Sequence, residues 1–355
     1  MANADTQGMA RHGPHGAHDL FGRMPKVELH VHLDCCLSHD AVAKLAPGTD
    51  RETYLRRYVG PERCASLADF LRYIDASLAL LQTETGLQVA VDDLFAQFRE
   101  DNILYAEIRF APLIHLRQGL SPDDVVHTVV DAVARNVLQT GIEARVILCA
   151  LRHFSAEESL ATARLASRFR GTRVTALDLA ADEAGFPLDA HVPAFELARE
   201  EGIARTAHAG EARGPESVRE TLASLRPSRI GHGVRSVEDP DLPPELRTRG
   251  IHLEVCPSCN VQTGIYASLA EHPIDRLHRM GVSVGINTDA RTVTGVTLSE
   301  EYRRLHKAFG WGVREFLPCN RGALAAAFVD DSVRGALADR LDAGYAALEQ
   351  KGNGA

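Results

Sequence analysis

The 355-residue chain is as informative in what it lacks as in what it holds. It has no apolar run approaching the ~20 residues of a membrane-spanning helix, which speaks against a membrane protein. It has no excess of basic charge: 39 Lys and Arg stand against 48 Asp and Glu, a net charge of −9. That balance argues against nucleic acid as a bulk electrostatic partner. Its one C-x-x-C, Cys256-Pro-Ser-Cys259, has no second copy. With Cys35, Cys36, Cys64, Cys149 and Cys319 these make an odd and scattered set of seven, which fits a reducing cytoplasm better than a disulfide framework. The plain reading of Cys256 and Cys259 is two small residues near the end of a buried strand. There is no internal repeat and no linker that would divide the chain. Met1 to about Arg23 is rich in Gly, Ala and His and has no apolar core. It reads as a disordered tail rather than a secretory signal, leaving residues 24–350 as a single domain.

What is present is a recurring alternation. Short apolar runs fall at Val27–Leu33, Ile103–Phe110, Ala144–Ala150, Val174–Leu179, Ile203–Ala207, Arg229–Gly231, Ile251–Val255 and Val282–Ile286. Most are continuous rather than alternating, as expected of parallel strands covered on both faces. Helical periodicity fills the stretches between them. Pro122–Leu138 is entered through Ser121, Ala156–Phe169 through Ser155, and Asp189–Glu201 is ended by Gly202. Eight strand-plus-helix units predict an α/β fold, a (β/α)8 TIM-type barrel, with a doubly wound open sheet as the structural alternative. Ser38 to Val89 is a long insertion after the first strand. A helix opens there at Ser66, with Asp69 at the capping-box position. Leu67, Phe70, Leu71 and Ile74 share one face of it, suited to core packing or to a hydrophobic lid over the barrel mouth. The chain after Arg291 reads as mainly helical.

The polar residues that matter sit at the strand ends. In Glu28-Leu29-His30-Val31-His32-Leu33-Asp34 the two histidines are two apart on a strand, so both rings share a face and can meet one ion. His208-Ala209-Gly210-Glu211, Gly231-His232-Gly233 and Asn287-Thr288-Asp289 each follow another apolar run. Barrel active sites lie at the C-terminal ends of the strands, and these residues all fall there. His30, His32, His208 and Asp289 form a zinc-type ligand set with room for a water, whose pKa such an ion lowers toward ~7. His232 is placed to deprotonate or orient that water, and Glu211 to act as acid or base on a substrate. The unspecialised alternatives are a hydrogen-bonded core histidine, a tight turn at His232 and a helix cap at Asp289.

The segments PKVELHVHLD, YAEIRFAP, DLAADEAGF, AHAGE, RIGHGV, LEVCPSCN and GINTDA, running in that order from Pro25 to Ala290, resemble the adenosine deaminase branch of the amidohydrolase superfamily. The resemblance implies a zinc-containing barrel, one Zn2+ per chain, that hydrolyses the exocyclic amine of a purine nucleoside. On this sequence it makes His30, His32, His208 and Asp289 the zinc ligands. Glu211 becomes the proton donor to ring N1, and His232 the residue assisting attack on C6. It further assigns Asp34 to the ribose, the Ala181 backbone N–H to a ring nitrogen, and Leu67, Phe70, Leu71 and Ile74 to a gate over the nucleoside. Adenosine and deoxyadenosine are the implied substrates.

The chain also departs from that family's pattern. Ala290 stands where a second aspartate, contacting purine N7, is common; Arg291, another polar group or water are the available compensations. Cys35 stands where Gly is frequent, Cys259 replaces a Ser, and Ala181 replaces a Gly. The proposed ligands, acid and base are untouched. The alternatives are therefore deamination of a modified adenine derivative, such as an aminofutalosine-type nucleoside or an N6-substituted adenine, and below it a non-catalytic purine-binding protein.

Overall fold

Each apolar run forms a strand, and in a computed structural model, which describes residues 19–352, the eight strands lie side by side in chain order, all parallel. They are β1 (Lys26–His32), β2 (Ile103–Phe110), β3 (Glu143–Leu151), β4 (Val174–Ala180), β5 (Ala204–Ala209), β6 (Arg229–His232), β7 (His252–Val255) and β8 (Ser283–Ile286). Helices return along the outside, among them Glu84–Glu100, Pro122–Thr140, Ala156–Arg168, Val192–Glu200 and Pro215–Ser224. Three more, Leu298–Phe309, Val313–Ala326 and Asp331–Gly352, follow β8. This is the (β/α)8 barrel expected from the sequence. The open-sheet alternative fails because β8 meets β1.

That last seam is sealed largely by side chains. Asn287 Oδ1 accepts the N–H of Leu29 at 2.8 Å and of His30 at 3.0 Å, and Asn320 Oδ1 accepts that of Val27 at 2.8 Å. The backbone contributes where β1 ends: His32 N–H donates to Asp289 O at 2.9 Å, and Asp289 N–H to His30 O at 3.0 Å. Closure of the barrel and placement of Asp289 beside two histidines are thus one event.

The bore is not apolar. Glu107, Arg109, Asp178, Arg229 and Glu254 are fully buried there. Arg109 pairs with Asp178 at 2.9 Å and with Glu254, and Arg229 pairs with Glu254 at 2.7 Å and with Glu107. Buried charges persist only when paired in this way.

Local chemistry explains where elements start and stop. Ser121 and Ser155 cap their helices in reciprocal boxes with Asp124 and Glu158. The helix expected over Asp189–Glu201 divides into a 3-10 turn, Asp189–His191, and an α-helix from Val192, where Pro193 supplies no N–H. The helix expected from Ser66 to Ile74 also divides, into Leu67–Leu71 and Ile74–Leu78. Ser66 does cap it, but the Asp69 carboxylate accepts the N–H of Ala65 rather than of Ser66. With His39–Leu45 and Arg51–Tyr58 these helices make up the insertion, which ends before Glu84 because the barrel's own helix starts there. The expected tail is shorter at its inner edge. Asp19 caps Leu20–Arg23 and pairs with Arg303 at 2.6 Å, while residues 1–18 lie outside the described residues. Among the described residues no helix is long and apolar enough to cross a membrane.

Candidate active site

The strand ends at the barrel's C-terminal mouth bring six of the sequence-derived residues together. His30 and His32, on one face of β1, have ring centroids 5.2 Å apart. His208 from β5 lies 4.5 Å from the His30 ring and 5.3 Å from that of His32. His232, ending β6, lies 5.0 Å from His30. The crowding depends on Gly231: a Cβ there would sit 3.1 Å from His30 Cε1 and 3.3 Å from the His208 ring. Asp289 completes the group, with Oδ1 at 3.6 Å from His30 Nε2 and 3.4 Å from His32 Nε2, and Oδ2 at 3.7 Å from His232 Nε2. Glu211 Oε2 lies 3.6 Å from His232 Nε2.

Residues behind these decide which ring atoms face inward. His30 Nδ1 donates to Glu254 at 3.0 Å and His208 Nδ1 to Asp178 at 3.2 Å. Each therefore turns an Nε2 lone pair toward the mouth. His30 Nε2 is buried with no hydrogen-bond partner, and His32 Nε2 and His208 Nε2 face each other at 3.3 Å. Burial holds the His32 ring well below its usual range, and the His30 and His208 rings add to this. Burial alone would raise the Asp289 carboxyl, but His30, His32 and His232 outweigh it and hold the group well below the usual range, ionised. Converging lone pairs, an orphaned nitrogen and an anionic carboxylate are the donor set of a borderline divalent cation. The ligand atoms of His30, His32 and His208 lie within 4.8 Å of one another, as do those of His30, His232, Cys256 and Asp289, and donors of these types are ones a divalent metal ion takes.

Glu211 is the opposite case. Burial first, then the charges of Asp289 and Glu183, push its carboxyl well above the usual range, which favours the protonated form. Its Oε1 is buried without a partner. A cavity of about 640 Å³ opens beside it, lined by Leu67, Asp182, Ala212, Thr263 and Ile265 among others.

The remaining sequence-derived residues lie around this centre. Leu67 and Phe70 are buried, and Leu71 and Ile74 half-buried, in a cluster with Cys35, Cys64, Cys256, Cys259, Ala290 and Val293. The insertion thus roofs one wall of the site with carbon and sulfur. All seven cysteines are buried and unpaired, and burial pushes the Cys256 and Cys259 thiols well up, as befits packing residues rather than reactive ones. Asp34 follows β1, and its carboxylate takes a 2.7 Å hydrogen bond from His115 Nε2. Ala181 is half-buried just past β4. Three mouth residues, Ala181, His232 and Asp289, have φ of 80°, 61° and 64°, a region costly for side chains other than glycine and typical of functional sites. Arg291 does not reach the place of the missing second carboxylate: it is buried against Glu28 at 2.6 Å and Asp101 at 2.9 Å.

Sequence reasoning missed the supporting residues Asp178, Glu254, Arg109, Asn260 and Glu183. For the first three the available signal was a charge in the middle of an otherwise apolar strand. Glu183 and Asn260 sit inside segments already singled out, but their partners lie on other strands' loops. The Glu183 carboxylate accepts four successive backbone N–H groups, of Gly210, Glu211, Ala212 and Arg213, at 2.7, 3.0, 2.6 and 2.9 Å.

Over residues 25–344 the chain matches the model of the protein family described as adenosine deaminase. An adenosine deaminase of Lacticaseibacillus casei is 35% identical over 332 residues, covering 91% of this chain and 97% of the relative. One of Mycolicibacterium gilvum is 37% identical over 343 residues, covering 90% and 94%. Among solved structures, an adenine deaminase from Arthrobacter aurescens is similar with a TM-score of 0.83 at 26% identity, over 90% of this chain and 98% of that one.

Proposed function

The chain belongs to the adenosine deaminase family of hydrolytic purine deaminases, and from that membership we propose that it converts adenosine, and deoxyadenosine, to inosine and ammonia with one zinc ion per chain. The observation that carries the reading is the pairing of opposites at one mouth: inward lone pairs and the ionised Asp289 on one side, the protonated Glu211 on the other. His30, His32, His208 and Asp289 would hold the ion. When bound, such an ion lowers the pKa of water toward ~7 and so makes hydroxide available at neutral pH.

The residues of the chain do the rest. Glu211 donates its proton to ring N1 of the purine, which makes the neighbouring C6 electrophilic. Water adds at C6 on the side of His232 and Asp289; of its two protons, one leaves with the exocyclic amine as ammonia and the other restores the Glu211 acid as the C6 carbonyl forms. Asp34, steadied by His115, hydrogen-bonds the ribose, and the Ala181 N–H meets a ring nitrogen. Leu67, Phe70, Leu71 and Ile74 cover the base and exclude water from the reacting face. Residues 24–350 act as one catalytic domain in a reducing cytoplasm.

A second reading is favoured by one observation. Ala290 is buried in an apolar wall and Arg291 is turned away from it. That wall suits a modified adenine derivative, an aminofutalosine-type nucleoside or an N6-substituted adenine. Ammonia release by zinc-loaded protein from adenosine, deoxyadenosine, adenine, AMP and larger 5′-substituted nucleosides, with Glu211→Gln as control, separates the two. Turnover of adenosine that is lost in the variant supports the first; an inert adenosine beside an active relative supports the second. Binding of a nucleoside with no ammonia from any of them would leave only a purine-binding protein.

A further inference from the structure

The site presents His232 with two candidate behaviours, base or hydrogen-bond donor, and a chain of contacts behind it decides between them. We propose that Asn260 and His272 are positioning residues that lock His232 in the tautomer carrying its proton on Nε2, so that it meets the substrate as a hydrogen-bond donor and not as a proton acceptor. The catalytic half of this inference rests on the function proposed above; the tautomer itself does not.

The chain starts from a backbone group whose role cannot change. Ile274 N–H donates to His272 Nδ1 at 3.2 Å, so that nitrogen must be an unprotonated acceptor. His272 is 2% exposed, and burial holds its ring down at about 3, so it is neutral. Its one proton is therefore on Nε2, which lies 3.2 Å from Asn260 Oδ1. That contact fixes the Asn260 amide with its oxygen toward His272 and its nitrogen toward His232. Turned the other way, the amide would set one donor against another. Asn260 Nδ2 then donates to His232 Nδ1 at 3.0 Å. His232 is itself 1% exposed, and a ring whose Nδ1 accepts a hydrogen bond carries its proton on Nε2.

That N–H points at acceptors, Glu211 Oε2 at 3.6 Å and Asp289 Oδ2 at 3.7 Å. A donor fixed beside the carbon that gains an oxygen stabilises the negative charge developing there without any reorganisation. Asn260 is well placed to be rigid. It is fully buried in the helix Pro257–Gln262, and its own carbonyl accepts Ile265 N–H at 3.1 Å.

The test is nitrogen-15 NMR of the histidine rings in the full chain, with His232 identified by the signal missing from His232→Gln. The expected result is an unprotonated Nδ1 and a protonated Nε2. In Asn260→Asp the carboxylate accepts from both rings, so the His232 proton moves to Nδ1. Its kcat for ammonia release then falls by about 10²–10³, the effect of losing one such donor, with KM nearly unchanged. A wild-type His232 protonated on Nδ1 overturns the proposal, as does an Asn260→Asp variant that flips the tautomer yet keeps wild-type kcat. Should that variant not fold, the wild-type spectrum alone upholds or overturns the tautomer. A protein that releases no ammonia while showing the Nε2–H ring refutes the proposed reaction and leaves the tautomer standing.

Discussion

Glu183 holds Glu211 by its backbone: the Glu183 carboxylate accepts the Glu211 N–H at 3.0 Å and those of the residues on either side. Two acids that repel each other as side chains are thus tied through the main chain. The tie positions the proposed proton donor, and the repulsion helps keep it protonated. Gly210, with φ of 69°, gives the loop the turn that lets its N–H groups converge. In Glu183→Gln an amide N–H2 replaces one of the two accepting oxygens and opposes the backbone donors. The expected result is a kcat lower by about 100-fold, the scale of a small misplacement, at near-normal KM and metal content. In a Glu211→Gln background the same change should cost nothing more, because it acts through Glu211. An additive loss, measured by ammonia release from the double variant, would assign Glu183 a different role.

The raised proton affinity of Glu211 has a consequence for stability. In metal-free protein its carboxyl lies well above 4.5, first through burial and then through Asp289 and Glu183. A group that binds its proton more tightly when folded contributes fully below its unfolded value, and the contribution is lost as pH rises through the folded value. Glutamine does not titrate. The melting temperature of Glu211→Gln should therefore gain on that of the parent as pH rises from 4.5, and the gap should level off above the folded value. A gap that stays constant across this range would show that Glu211 is not held protonated.

How much of this was legible beforehand depends on sequence distance. His30 and His32 declare themselves because a strand puts i and i+2 on one face. His208, His232 and Asp289 follow because each ends an apolar run. The supporting layer is not local. Asn287 seals β8 to β1 across 258 residues, and Glu254 reaches His30 across 224. Those pairings depend on strand register, which composition and periodicity leave open. The same holds for Asn260, legible as part of a motif but not as the partner of both His232 and His272. Helix ends were legible where a side chain caps its own turn, as at Ser121 and Ser155, and not where Pro193 or the break at Arg72–Tyr73 intervened.

Asp178 offers a test of the proposed metal centre away from the ligands themselves. It is fully buried, accepts from His208 Nδ1 at 3.2 Å and is itself paired with Arg109 at 2.9 Å. Loss of such a partner frees the ring and lowers its basicity. Asp178→Asn should weaken metal affinity by about 10–100-fold, while Asp289→Ala, which removes a proposed ligand, should abolish retention through gel filtration. Both are read by metal analysis of the folded protein. Full occupancy in Asp289→Ala would exclude that residue from the centre.

Arg291 ties the loop that carries Asp289 to the fold. Its guanidinium joins Glu28 at 2.6 Å to Asp101 at 2.9 Å, with all three groups buried. Each acid in turn holds something else. Glu28 accepts the N–H of Thr288, one residue before Asp289, at 3.0 Å, and Asp101 accepts the N–H groups of Leu298 and Ser299 at the start of the helix after β8. Replacing the arginine by methionine keeps the bulk and strands two buried carboxylates, a loss of about 3–5 kcal/mol by the usual cost of breaking such a pair. Denaturant unfolding of Arg291→Met should show that loss. Metal affinity should fall with it, because Thr288 and Asp289 lose their anchor. Arg291→Lys should recover only part, since one ammonium cannot fork between two acids. Unchanged stability in Arg291→Met would mean that the two carboxylates find other partners.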